Sequence, residues 1–334
     1  MNLFRGNNYM YYPFILFSYL LLSAICYAES LPINVALSLT PLSSPLIIAQ
    51  EKGYFIEQKL QVKFNKVIGG NRAANQLNQG NVDMATSSEA VVMFNSFKNS
   101  NFCLLSTFVS SNNDVKILTL KKNGINTLDD LSDKRIGTIL GASAHFFIDY
   151  TMKAYGANTE NMTIINVNPE DTYKALLNNE VDVVVSWEPY IYLAIKQLGD
   201  KALIIKHEKL YNETFNLLAN RSWAEKNQQQ VIAFLKALDK AISFITANPK
   251  LSQKIVSTYL NKDLAIIEDS WDDLNFSLSL HQWLFYLLEA EADWAIKGNF
   301  VQSKIKPDYL KLFMIEPLQK IKPEAVTIIS KQIN

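Results

Sequence analysis

The sequence predicts an α/β protein of two lobes, each a mostly parallel sheet flanked by helices. Three observations lead there. Strand-like and helix-like runs alternate from residue 33 onward, the signature of βαβ units. The alternation breaks off near residue 120 and then restarts, so two such sets follow one another. Beyond them the chain reads as helix. At 334 residues, 49% hydrophobic and 19% charged, it is long and apolar enough for two cores of ordinary domain size.

The first set opens with INVALSL (33–39), a strand candidate. SPLIIAQEKGYF follows as a helix, with Pro45 in its first turn, where a missing N–H costs nothing, and Gly53 at its end. LQVKFNKV (60–67) alternates with the period of a strand, and Gly69 and Gly70 open the helical stretch RAANQLNQG. VDMATS (82–87) is a short strand, EAVVMFNSF a helix, and FCLLSTFV and VKILTL are strands. The second set starts with the short helical run NTLDDL and the strand KRIGTIL. SAHFFIDYTMKAYG is a helix closed by Gly156, MTIINV a strand, and PEDTYKALLNNE a helix. VDVVVS is a strand, EPYIYLAIKQLG a helix, and ALIIK the last strand. The remainder is helical. Val231, Phe234, Leu235, Leu238, Ile242 and Ile245 form one apolar stripe at helical spacing, and HQWLFYLLEAEADWAI makes a second such helix.

The first 28 residues differ from the rest. Arg5 is their only charge, and an apolar run ends at Cys26-Tyr27-Ala28, a small-x-small site before Glu29. This predicts a secretory signal peptide, residues 1–28, cleaved after Ala28, and a periplasmic location. The charge-free stretch 6–28 is also just long enough to span a bilayer, so a retained membrane anchor is the alternative. Ile25 is too large for lipoprotein cleavage before Cys26. Cleavage leaves Cys103 as the single thiol, in the apolar run NFCLLSTFV, expected to be buried and inert with no internal disulfide.

Lys+Arg and Asp+Glu are equal at 32 each, so no basic excess points to nucleic acid. No histidine or cysteine cluster has metal spacing, and no phosphate-loop or dinucleotide glycine pattern occurs. Neither a metal nor a cofactor is expected.

Several stretches, in order and in register, resemble one family: the periplasmic substrate-binding proteins of nitrate, sulfonate, taurine and aminopyrimidine ABC importers, the NMT1/THI5-like proteins. They are SPLIIAQEKGYFIEQKLQV, GGNRAANQLNQGNVDMATSSEAVV, NTLDDLSDKRIGTILGASAHFFIDYTMKAYG, ALLNNEVDVVVSWEPYIYLA and FLKALDKAISFITANP. The resemblance implies a two-lobed periplasmic-binding-protein fold of type II, with the ligand in the interlobe cleft. It places the lobe crossings near 111–115 and 210–214. Lobe I would then be 29–112 with 213–334, and lobe II 113–212. It also implies a monomer that captures a small solute and docks on a membrane permease with its ATPase.

Five strand-to-helix loops are candidates for the site, because ligands of open α/β sheets sit at the carboxyl ends of strands beside helix N-termini. TPLSSP (40–45) offers Ser43 beside a helix start. IGGNR (68–72) offers backbone N–H groups, Asn71 and Arg72. TSSE (86–89) offers the hydroxyls of Ser87 and Ser88. GASAH (141–145) offers Ser143 and His145, and SWEP (186–189) offers Trp187 and Glu188. Trp187 supplies an apolar wall. Glu188 either accepts from a ligand amine or caps its own helix. Such a mixture suits a zwitterion or an amino-heterocycle better than a simple oxyanion. GASAH lacks the second glycine of a nucleophile elbow, and His145, His207 and His281 are scattered, so no catalytic residue is assigned. The expected function is capture of a small anionic, zwitterionic or amino-heterocyclic solute. The alternatives are a pyrimidine-synthesis enzyme on the same scaffold and an exported ligand sensor. The enzyme relatives carry a cysteine-rich motif that this chain lacks.

Overall fold

Two β-sheets share the strands, and chain order explains how. In the computed structural model, which describes residues 1, 31–98, 101–157, 159 and 161–329, the strands are β1 (Ile33–Ser38), β2 (Val62–Val67), β3 (Met84–Ser88), β4 (Phe102–Ser111), β5 (Val115–Leu120), β6 (Arg135–Thr138), β7 (Thr163–Asn166), β8 (Val183–Trp187), β9 (Ala202–Ile205), β10 (Glu213–Asn220) and β11 (Leu274–Ser279). The first sheet runs β11-β4-β10-β3-β1-β2 and the second β7-β6-β8-β5-β9. The predicted leader, with its cleavage site and Cys26, lies outside the described residues apart from residue 1.

Both sheets are mixed. The βα alternation produces the parallel pairs β1 with β2, β1 with β3, β6 with β7 and β6 with β8. The antiparallel pairs come from strands beside the two passages of the chain from sheet to sheet. β4 and β10 pair antiparallel in the first sheet, and β5 lies antiparallel to both β8 and β9 in the second. The passages occupy 112–114 and 206–212.

Two strands fall where the sequence reads as helical. β10 is central, between β4 and β3, and β11 is an edge strand on β4. In β10, ETFNLLAN, both faces are buried, so it shows no period-two alternation. Pairing with neighbours distant in sequence decides its state.

The apolar stripe packs as its spacing requires. Val231, Phe234, Leu235, Leu238, Ile242 and Ile245 are all buried in the helix Gln228–Ala247. The Phe234 and Phe55 ring centroids lie 4.7 Å apart, tying this helix to the first lobe. Cys103 is buried and unoxidised, and burial raises its pKa to about 12, so it is inert as a nucleophile. Among the described residues no helix is long and apolar enough to cross a membrane.

Candidate functional site

The carboxyl ends of the parallel strands of both sheets converge on one narrow cavity of about 20 Å³. From the first lobe come Ser38 at the end of β1, Thr40 and Leu42 just beyond it, and Gly70 and Asn71 after β2. Ser88 ends β3, Val91 follows it on a helix, and Glu213 and Phe215 come from β10. From the second lobe come Ala142 and Ser143 after β6, and Trp187 at the end of β8. At that volume it has room for about one water molecule. A larger recess toward the mouth shares Asn71 and Val91 with it and is lined further by Phe94, Gly141, His145 and Phe300.

The glycine pair is shaped by close approach. Gly69 has φ +81°, a left-handed value that disfavours a side chain. A Cβ on Gly70 would come within 2.9 Å of the Ser87 Cα, so the helix Gly70–Asn78 starts directly on β3 only because no side chain intervenes. A Cβ on Gly69 would lie 3.7 Å from the Trp187 ring, which places that ring over the first lobe's glycine turn. Polar contacts also cross between the lobes, Lys196 to Asp263 at 2.9 Å among them. Arg72 pairs with Glu170 at 2.8 Å, and the Thr40 hydroxyl lies 3.5 Å from the Glu188 carbonyl.

Of the nine candidate residues, Asn71, Ser88, Ser143 and Trp187 line the cavity, and five do not. Ser43 donates to the Ser38 carbonyl at 2.7 Å and serves its own turn. Arg72 pairs with Glu170 of the other lobe. Ser87 is buried under Gly70. His145 lines the outer recess, edge-on to Trp294 and Phe300 at 4.9 and 4.6 Å. Burial drops its pKa to about 4, so it is neutral at pH 7.

Glu188 makes the helix-capping contact. Its carboxylate accepts from Lys116 Nζ at 2.6 Å and from the Tyr192 N–H at 3.0 Å, so it pairs a lysine and caps the helix Tyr190–Leu198. Burial depresses the Lys116 pKa, but the neighbouring Glu188 more than restores it. Pro189 stands just before this helix, after a cis peptide bond, rather than inside its first turn.

The residue that sequence reasoning missed is Glu213. It is 4% exposed, lines the cavity, and its Oε2 has no hydrogen-bond partner among the described residues. Three more buried carboxyls surround it. Glu89 accepts from Thr214 N at 2.6 Å, Thr214 Oγ1 at 2.9 Å and the Tyr211 hydroxyl. Among the described residues, both carboxyl oxygens of Asp114 and of Glu291 have no hydrogen-bond partner. Burial first, then Asp114 and Glu89, push the Glu213 pKa well above the usual carboxylate range, while the Ser143 hydroxyl opposes the shift. Burial likewise raises Asp114 and Glu291. An acid opening an apolar run just after a lobe crossing was the available signal.

The family described as NMT1/THI5 like matches residues 40–252, more than half of the chain. The 4-amino-5-hydroxymethyl-2-methylpyrimidine phosphate synthase THI11 of Saccharomyces cerevisiae is 27% identical over 310 residues, 86% of this chain and 87% of that protein. The periplasmic aliphatic sulphonate binding protein SsuA of Escherichia coli superimposes with a TM-score of 0.73 at 16% identity, over 84% of this chain and 97% of that one. The periplasmic nitrate-binding protein NrtA of Synechocystis PCC 6803 does so with 0.72 at 15%, over 87% and 89%. These superpositions identify the fold as that of periplasmic binding proteins. With the cavity at the strand ends of two α/β lobes and the family match across both, the chain belongs to the NMT1/THI5 like family.

Proposed function

We propose that the chain is the extracytoplasmic solute-binding component of an ABC-type importer. It captures a small solute by closure of two lobes and delivers it to a membrane permease with its ATPase. The cavity walled by residues of both lobes carries this reading: a solute that enters as the lobes part meets Asn71, Ser88 and Phe215 on one side and Ser143 and Trp187 on the other. Binding then favours the closed form by differential contact. The lobes are 29–112 with 213–334, and 113–212, so the passages 112–114 and 206–212 are the hinge. The protein acts as a periplasmic monomer after loss of residues 1–28.

The yeast synthase relative favours a second reading, an enzyme of the pyrimidine-synthesis type. Capture is preferred because the cavity lining offers no cysteine or lysine nucleophile and no histidine base, and its one ionisable group is the Glu213 carboxyl. Small-angle scattering and thermal melting test the choice, with taurine, methanesulfonate, nitrate and 4-amino-2-methylpyrimidine as probes. A binding solute is expected to reduce the radius of gyration. It should stabilise the fold by about 2.7 kcal/mol at a hundredfold excess over Kd. Conversion of a probe to product would overturn capture in favour of catalysis.

A further inference from the structure

On the solute-capture reading, on which this rests, we propose that Glu213 sets the specificity of the cavity: it selects a small solute that presents a cationic N–H donor, and it disfavours simple oxyanions. Glu213 is the only ionisable side chain among the cavity-lining residues. Its Oε2 is buried and unpartnered, an arrangement that native proteins keep for a reason, because a buried acceptor without a donor is costly.

The cations nearby are committed elsewhere. Arg72 is paired with Glu170 and Lys116 with Glu188, and His145 is neutral in its aromatic surroundings. Behind Glu213 stand Asp114, Glu89 and Glu291, all buried. A donor cation at the Glu213 carboxyl takes the place of the proton that burial makes it hold and satisfies the orphan acceptor. A sulfonate or nitrate at the same place brings a negative charge with no cation to offset it in a buried setting.

Three helices, Gly70–Asn78, Glu89–Ser96 and Ser143–Ala154, begin at the cavity. Each N-terminus carries roughly half a positive charge, and the carboxyl of Glu89 already occupies the first turn of one. These N-termini suit a polar or acidic second group on the solute, while Trp187 and Phe215 supply apolar walls and Trp187 a face for a cation.

Calorimetric titration of the purified protein with four probes tests this. n-Propylammonium and 4-amino-2-methylpyrimidine represent the two amine sources, an alkyl ammonium and a protonatable heterocycle. Methanesulfonate and nitrate represent the oxyanions. At least one amine is expected to bind, and which one names the source. Glu213→Gln should weaken it by roughly thirtyfold or more while circular dichroism stays that of the parent. Preference for an oxyanion, as for a protonated Glu213 donating to it, would overturn the proposal and leave solute capture standing. An amine affinity unchanged in Glu213→Gln, or no response to either amine, overturns it as well. Silence of all four probes, together with an unchanged radius of gyration, counts against capture itself. Should Glu213→Gln fail to fold, the parent's preference between amines and oxyanions still decides.

Discussion

Glu188 and Glu213 stand on opposite sides of the cleft, at the end of β8 and the start of β10, and are almost equally buried at 2% and 4% exposed. Their surroundings differ completely. Glu188 has a lysine and a backbone N–H, whereas Glu213 has an orphan oxygen, three carboxyl neighbours and a face on the cavity. Burial alone therefore does not mark a functional acid. A buried carboxylate whose valences are filled by its own lobe holds the fold together. One whose valences are left open toward a cavity is available to a ligand.

Removing each group in turn should widen that contrast. Glu188→Ala strands Lys116, whose side chain is only 15% exposed, and is expected to cost the fold about 3–5 kcal/mol in denaturant unfolding. The surviving folded fraction should bind solute with nearly unchanged affinity. A stability change below about 1 kcal/mol, or a selective loss of binding, would place Glu188 in the site.

Trp187→Ala should weaken whichever probe binds by about tenfold to a hundredfold, or roughly 1–3 kcal/mol, through loss of an aromatic wall. Its ring also covers the Gly69 turn, so some stability should go with it. Unchanged affinity with a large stability loss would make Trp187 a core residue only.

The third expectation concerns the carboxyl cluster. Burial raises the pKa values of Glu89, Asp114, Glu213 and Glu291 in the folded state, so the folded protein holds protons that the unfolded chain releases. Stability from this source is present at low pH and lost as pH rises through the raised values. Melting temperature should therefore climb as pH falls through those raised values toward 6.5, the ordinary histidine value. Below about 6.5 the depressed pKa of His145 acts in the opposite direction, since the unfolded histidine gains a proton that the folded one resists. Glu291→Gln, away from the cavity lining, should raise stability by on the order of 1–2 kcal/mol at pH 8 and flatten the slope. A melting temperature that falls on acidification within that window would show that the cluster is not what titrates.

The site was half legible, and the division has a geometric cause. Asn71, Ser88, Ser143 and Trp187 lie where parallel strands hand over to helices, and such loops announce themselves by glycines, hydroxyls and a broken apolar run. Glu213 and Phe215 reach the same cavity from the amino end of an antiparallel strand, which no strand-to-helix loop marks. Arg72 and Glu188 have the chemistry of ligand contacts and were drawn to Glu170 and Lys116, partners 98 and 72 residues away.

What the sequence determined by itself is local. The alternation of apolar runs with capped helices specifies the βα units, and helical spacing specifies the buried stripe of the helix Gln228–Ala247, because periodicity acts over one or two turns. Tertiary structure decided the rest. It made β10 a central strand, mixed the parallel and antiparallel pairs, and gathered four acids from distant segments into one buried cluster. Pairing energy and the desolvation of charge depend on neighbours far along the chain, and no local pattern encodes them.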